Sequence, residues 1–208
     1  FLGERGIRVC LNRPEILRMQ FRAILKACAK GTIEIMFPMI SNLDEFRKAK
    51  QILIEEAEAM GVAVPATGIM VEVPVVCGMA EQFAKEVDFF SVGTNDLTQY
   101  TMAVDRGHPK IAALADGLNP GLLSLIKSAA DGAHKHGIKI SVCGGIASDE
   151  YAVPVLIGLG IDKLSATVPA IPAVKALVRE LSFAECKELA AKALEQESGA
   201  AVRALVKS

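Results

Sequence analysis

Asp88-Phe89-Phe90-Ser91-Val92-Gly93-Thr94-Asn95-Asp96-Leu97-Thr98-Gln99-Tyr100 is the stretch around which the chain of 208 residues can be ordered. It reads as a short buried strand, a glycine turn and a polar helix start that opens an apolar helix, with Thr94 or Asn95 as the expected cap. Strands and helices alternate on both sides of it. Upstream, a glycine- and arginine-containing loop over 3–8 precedes a helix that starts at Asn12-Arg13-Pro14-Glu15 and runs to about Ala29. A strand over 33–37 is closed by Pro38, and Ser41-Asn42-Leu43-Asp44-Glu45 caps a long amphipathic helix that ends at Gly61. A strand over 67–73 leads into a helix from Pro74 through Lys85. Downstream come an irregular stretch over 107–119, a helix over 120–136 and a strand over 138–143 ending at Gly144-Gly145. Ser148-Asp149-Glu150 is expected to cap a helix to about Leu159, before a short strand over 162–166 and helices over 171–181 and from Phe183 onward.

Apolar strands alternating with helices, without hairpin turns, predict an α/β fold with a parallel sheet covered by helices. That pattern allows an open doubly wound sheet or a (β/α)8 TIM-type barrel. Five strands are too few for a closed barrel, which takes about 250 residues. No linker or repeat divides the chain, so residues 1–208 are expected to form one incomplete domain. The abrupt start at Phe1-Leu2-Gly3, without Met, fits a piece of something longer.

Composition narrows the function. The chain is 51% hydrophobic and 23% charged with a formal net charge of -1. That balance argues against nucleic acid or an anionic membrane as the main partner, so any positive site must be local. No apolar run approaches the ~18 residues of a membrane span, and the first residues lack the pattern of a signal peptide. Cys10, Cys28, Cys77, Cys143 and Cys186 show no metal-type spacing, which fits free thiols in a reducing cytoplasm.

Few residues could carry chemistry. Glu72 ends an otherwise apolar strand, where it either reaches solvent or needs a partner or metal. Asp96 follows the next strand and is equally well read as a favourable acid in a first helical turn. Together they gain weight, because consecutive parallel strands put both at the carboxyl edge, where sites of such folds lie. Two carboxylates with room for water and substrate oxygens suit Mg²⁺. Free amides at the helix start near Asn95 suit an anion. Arg106, Arg5 and Arg8 are either solvated surface charges or forks for a phosphate or carboxylate. Cys143 at its strand end is either a small core residue or a thiol facing a ligand. His108, His134 and His136 lack the neighbours of a metal site or triad.

Val87 to Tyr100, followed by Ala103-Val104-Asp105-Arg106-Gly107, closely resembles the signature of the phosphoenolpyruvate-utilising enzymes. Within that group it is most similar to Enzyme I of the bacterial phosphotransferase system, phosphoenolpyruvate-protein phosphotransferase. Supporting stretches are Phe1-Leu2-Gly3-Glu4-Arg5-Gly6-Ile7-Arg8, Ile35-Met36-Phe37-Pro38-Met39, Met70-Val71-Glu72-Val73-Pro74 and Cys143-Gly144. The resemblance implies a C-terminal (β/α)8 barrel that binds phosphoenolpyruvate and Mg²⁺ and forms a homodimer. It implies Glu72 and Asp96 as metal ligands, with Asn95, Asp96 and Arg106 on the substrate and Arg5 on its phosphate. It makes Cys143 the acid that protonates the pyruvate enolate. The implied partners are a histidine domain of the same parent protein and an HPr-like phosphocarrier protein. The first three barrel strands, two further phosphate-binding arginines and the phosphorylated histidine are expected upstream of Phe1.

Glu4 stands where the family commonly has an aromatic residue, and Gly145 where it commonly has Glu. Both resemble the fused, fructose-linked multiphosphoryl transfer proteins. The competing readings are the related barrel of pyruvate phosphate dikinase or phosphoenolpyruvate synthase, a distant Mg²⁺-dependent aldolase, and a non-catalytic ligand-binding and dimerisation fragment.

Overall fold

In the computed structural model, which describes residues 1–207, five strands lie side by side in chain order. They are β1 (Glu34–Phe37), β2 (Ala66–Val71), β3 (Phe89–Gly93), β4 (Lys139–Cys143) and β5 (Lys163–Ser165), each parallel to its neighbours. Every expected strand forms, within a residue or two at its ends. Register puts Met70 beside Ser91 and Gly93 beside Cys143. Strand β2 stops at Val71, so Glu72 stands just beyond the strand.

The helices are α1 (Ile7–Asn12), α2 (Pro14–Cys28), α3 (Leu43–Met60), α4 (Pro74–Gly78), α5 (Ala80–Ala84), α6 (Thr94–Thr101), α7 (Pro120–Lys135), α8 (Ala152–Gly158), α9 (Ile171–Glu180), α10 (Phe183–Leu194) and α11 (Gly199–Lys207). Local chemistry sets α3 in full. The Asn42 side chain accepts from Glu45 N at 2.9 Å, the Glu45 carboxylate accepts from Ser41 N and Asn42 N, and Gly61 ends the helix at φ 66°.

Elsewhere the structure departs from the sequence reading. The loop expected over 3–8 ends early, because α1 takes Arg8 into a helix. The helix expected over 74–85 divides at Met79, just after Gly78, whose missing side chain weakens a helix interior. Neither Thr94 nor Asn95 caps α6. The cap position is Gly93, and the Thr94 hydroxyl instead donates to the Cys143 carbonyl at 2.9 Å. Nor do Ser148, Asp149 and Glu150 cap a helix; a 3-10 turn (Gly145–Ser148) intervenes, and α8 begins at Ala152. The last helix is two, α10 and α11.

Side chains alternate along the strands with period two. Ile69, Val71, Phe90, Val92, Ile140 and Val142 are fully buried in one apolar cluster with the helices. Within it Phe37 bridges Phe21 and Phe46, with ring centroids 5.9 and 5.7 Å apart. The alternate positions carry Met70, Ser91, Gly93, Ser141 and Cys143, so small, polar and sulfur-bearing residues occupy the other face of the sheet toward its carboxyl end.

Candidate active site

Glu72 reaches this end one residue past β2 and is 3% exposed. Its Oε1 accepts from Met39 N at 2.6 Å, which overturns the reading of a carboxylate that reaches solvent. Gly93 makes room for it, since a Cβ there would stand 3.1 Å from Glu72 Cβ and closer still to Met70. Burial pushes the Glu72 carboxyl above its usual range; the Met39 amide pulls back, and the Asp96 carboxyl within hydrogen-bonding reach pushes up again.

Asp96 sits in the first turn of α6 and is itself buried. Its Oδ1 accepts from Arg5 at 3.3 Å and lies 3.6 Å from the Arg106 guanidinium. Arg5 also donates to the Tyr100 hydroxyl at 3.0 Å, which in turn donates to the Phe1 carbonyl at 2.8 Å. Both arginines are thus drawn to one carboxylate. Arg106 is also not at a helix terminus, because α6 ends at Thr101; its amide donates to the side chain of buried Gln99 at 3.1 Å. Arg8 is not brought in and instead donates to the Gly3 carbonyl.

Cys143 closes β4 beside Gly93 and is half-buried. Its thiol donates to the Val92 carbonyl at 3.4 Å and accepts from the Ser91 hydroxyl at 3.7 Å. Ser91 is a site neighbour that sequence reasoning missed; its even spacing from Gly93 in the quoted stretch was the available signal. Gly144, at φ 110°, lets β4 leave across the start of α6, where any Cβ would run into the Thr94 hydroxyl. The next amide, Gly145 N, donates to Asn95 Oδ1 at 3.4 Å, and Asn95 itself is exposed. Asn95, Thr98 and Arg106 line a cavity of about 440 Å³. A second, mostly apolar cavity of about 580 Å³ lies against Met39, Val73 and Tyr100.

The other cysteines and the histidines stand apart. Cys77 and Cys186 are buried, with burial pushing the Cys77 thiol up to about 12 and the Cys186 thiol upward, and all five cysteines are free. His134 pairs with Asp162, His136 faces Glu81, and the His108 ring accepts from Lys110 N.

Glu72, Asp96, Asn95, Arg5, Arg106 and Cys143 therefore converge on one sheet edge from widely separated positions. Among the described residues no cluster of three or more His, Cys, Asp or Glu could cage a metal ion. The donor set of two crowded carboxylates fits a hard divalent cation that keeps water or substrate oxygens, as Mg²⁺ does. Two arginines and free helix-start amides fit an anion.

The family model for the PEP-binding domain of PEP-utilising enzymes matches residues 1–183. The chain is 47% identical over 205 residues to the multiphosphoryl transfer protein of Rhodobacter capsulatus, covering 99% of this chain and 25% of that protein. It is 48% identical to the phosphoenolpyruvate-protein phosphotransferase of Geobacillus stearothermophilus, covering 91% of this chain and 34% of that protein. With the Bacillus subtilis (strain 168) phosphoenolpyruvate-protein phosphotransferase it shares 45% identity over the whole of this chain and 37% of that protein. The chain thus spans a quarter to somewhat over a third of the length of these relatives.

Proposed function

The chain belongs to the PEP-utilising enzymes, as their PEP-binding domain, and from that premise we propose that it supplies the phosphoenolpyruvate and Mg²⁺ site of a phosphoenolpyruvate-protein phosphotransferase. The observation that carries the reading is the Asp96 carboxylate, held between Arg5 and Arg106 beside buried Glu72. The names of the relatives favour a phosphotransferase over a dikinase or synthase, and identities of 47% and 48% weigh equally for the fused and stand-alone forms.

Phosphoenolpyruvate carries a phosphate and a carboxylate. Arg5 and Arg106 exchange their contacts with Asp96 for substrate oxygens, Arg5 at the phosphate. The amide side chain of Asn95 orients the substrate from the cavity wall. Glu72 and Asp96 would hold Mg²⁺. When bound, the metal neutralises charge on the phosphate and on the developing enolate. The bridging P–O bond breaks as a P–N bond forms to a histidine of an upstream domain, with the enol oxygen taking the electron pair. Cys143 then gives its thiol proton to the methylene carbon, producing pyruvate. A phosphocarrier protein of the HPr type receives the phosphoryl group from that histidine, beginning sugar uptake in the cytoplasm.

The sheet supports a sector of a (β/α)8 barrel. Its order runs without the reversal that a doubly wound sheet needs, and β1 and β5 are its two edges. Upstream strands would close it, and the whole would dimerise. Among the described residues no helix is long and apolar enough to cross a membrane.

The deciding experiment is Asp96→Ala in the intact parent protein. Mg²⁺-dependent transfer from phosphoenolpyruvate should fall at least about a hundredfold. Near-normal turnover would sink the assignment.

A further inference from the structure

Arg203 lies on α11, beyond the residues that the family model matches. Its guanidinium reaches two carboxylates on two different loops, donating to Asp116 Oδ2 at 2.7 Å and standing 3.8 Å from Asp149 Oδ2. Asp116 belongs to the irregular segment that carries Arg106 away from α6. Asp149 follows the 3-10 turn that begins at Gly145, whose amide holds Asn95. One side chain therefore ties together the loops on either side of the 440 Å³ cavity, and Asp149 and Arg203 line that cavity with Asn95 and Arg106.

The contact is built on both sides. Asp116 Oδ1 accepts from the amide of fully buried Leu118 at 3.0 Å, which knits the carboxylate into its own loop. Burial pushes the Asp116 carboxyl up, but Arg203 and the Leu118 amide outweigh it and hold the carboxyl below its usual range. Gly199 is buried at the start of α11, and any Cβ there would collide with the Asp116 carboxylate. Only glycine lets the helix approach so closely. At its other end Lys207 stands 4.8 Å over the Tyr151 ring, two residues beyond Asp149.

We propose that Arg203 is a positioning residue for phosphoenolpyruvate. It latches the Arg106 loop to the turn after Cys143, so that Arg106 and Asn95 face the cavity at a fixed separation. This rests on the substrate roles given above to Arg106 and Asn95. The Arg203 side chain is 35% exposed, and ion pairs so placed add little to overall stability. The latch should therefore act on binding geometry more than on folding.

In the intact parent protein, Arg203→Ala should raise the KM for phosphoenolpyruvate about tenfold and leave kcat within about twofold. Arg203→Lys, which keeps the charge and reaches one carboxylate, should recover most of that loss. Asp149→Asn leaves α11 anchored on Asp116 and frees only the second loop; it should raise KM by a smaller factor without lowering the unfolding midpoint. Amide hydrogen exchange should quicken together over 103–119 and 144–149 in Arg203→Ala. Unchanged KM in both the Ala and Asn variants, or faster exchange confined to α11, would overturn the latch while leaving the phosphotransferase reading intact. If Arg203→Ala fails to fold, Asp149→Asn decides alone. A wild-type parent unable to use phosphoenolpyruvate would overturn the reading and the latch together.

Discussion

At the scale of single residues, the site is a problem of crowded charge. Glu72 and Asp96 share a buried space, and the cost falls on Glu72, whose carboxyl is raised above its ordinary value of 4.5 mainly by burial. Below its ordinary value the carboxyl is protonated in the folded and unfolded chain alike and costs nothing; the penalty grows as pH climbs from that value and is complete above the shifted one. Glu72→Gln keeps an acceptor for Met39 N and removes the charge. Without added Mg²⁺ it should raise the melting temperature at neutral pH, by about 2–4 °C for each kcal/mol relieved, and the gain should vanish below pH 4.5. An equal gain at acid and neutral pH would show that charge is not the cause. Cys143 makes a different demand. Its thiol is held by Ser91 and the Val92 carbonyl, so Cys143→Ser should keep phosphoenolpyruvate binding and slow pyruvate formation about a hundredfold or more. Loss of binding with an intact fold would make Cys143 structural.

At the scale of elements, glycines decide how close the parts can come. Gly144 adopts φ 110° where β4 crosses the start of α6. Gly144→Ala should destabilise the protein by about 1–3 kcal/mol in urea unfolding, from strain and from the clash with Thr94. A loss under about 0.5 kcal/mol would mean that the crossing is slack. The elements also show what was legible in the sequence. The five strands and the capping of α3 were, because apolar runs and the Asn42–Glu45 box are set by near neighbours. The grouping of Glu72, Asp96 and Cys143 at one edge followed from consecutive parallel strands. The capping role expected of Thr94 failed, because its hydroxyl found the Cys143 carbonyl, 49 positions away. Arg5–Asp96 and Arg203–Asp116 join residues 91 and 87 positions apart, and no local pattern encodes such pairs.

At the scale of the whole molecule, one apolar cluster sets the sheet that carries the site. Phe37 joins β1 to α2 and α3 through Phe21 and Phe46, so Phe37→Ala should cost about 3–5 kcal/mol at an unchanged denaturant slope. A cost under about 1 kcal/mol would mean that the ring bridge is dispensable. A final consequence concerns light. The chain has no tryptophan and two tyrosines, so emission excited at wavelengths above the phenylalanine band comes from Tyr100 and Tyr151. Tyr100 is bonded to Arg5, and a ligand that recruits this guanidinium must change the surroundings of the phenol. The chain thus carries a built-in optical gauge of Arg5: titrating an anion into it should change the intensity of tyrosine emission, and Tyr100→Phe should abolish that change.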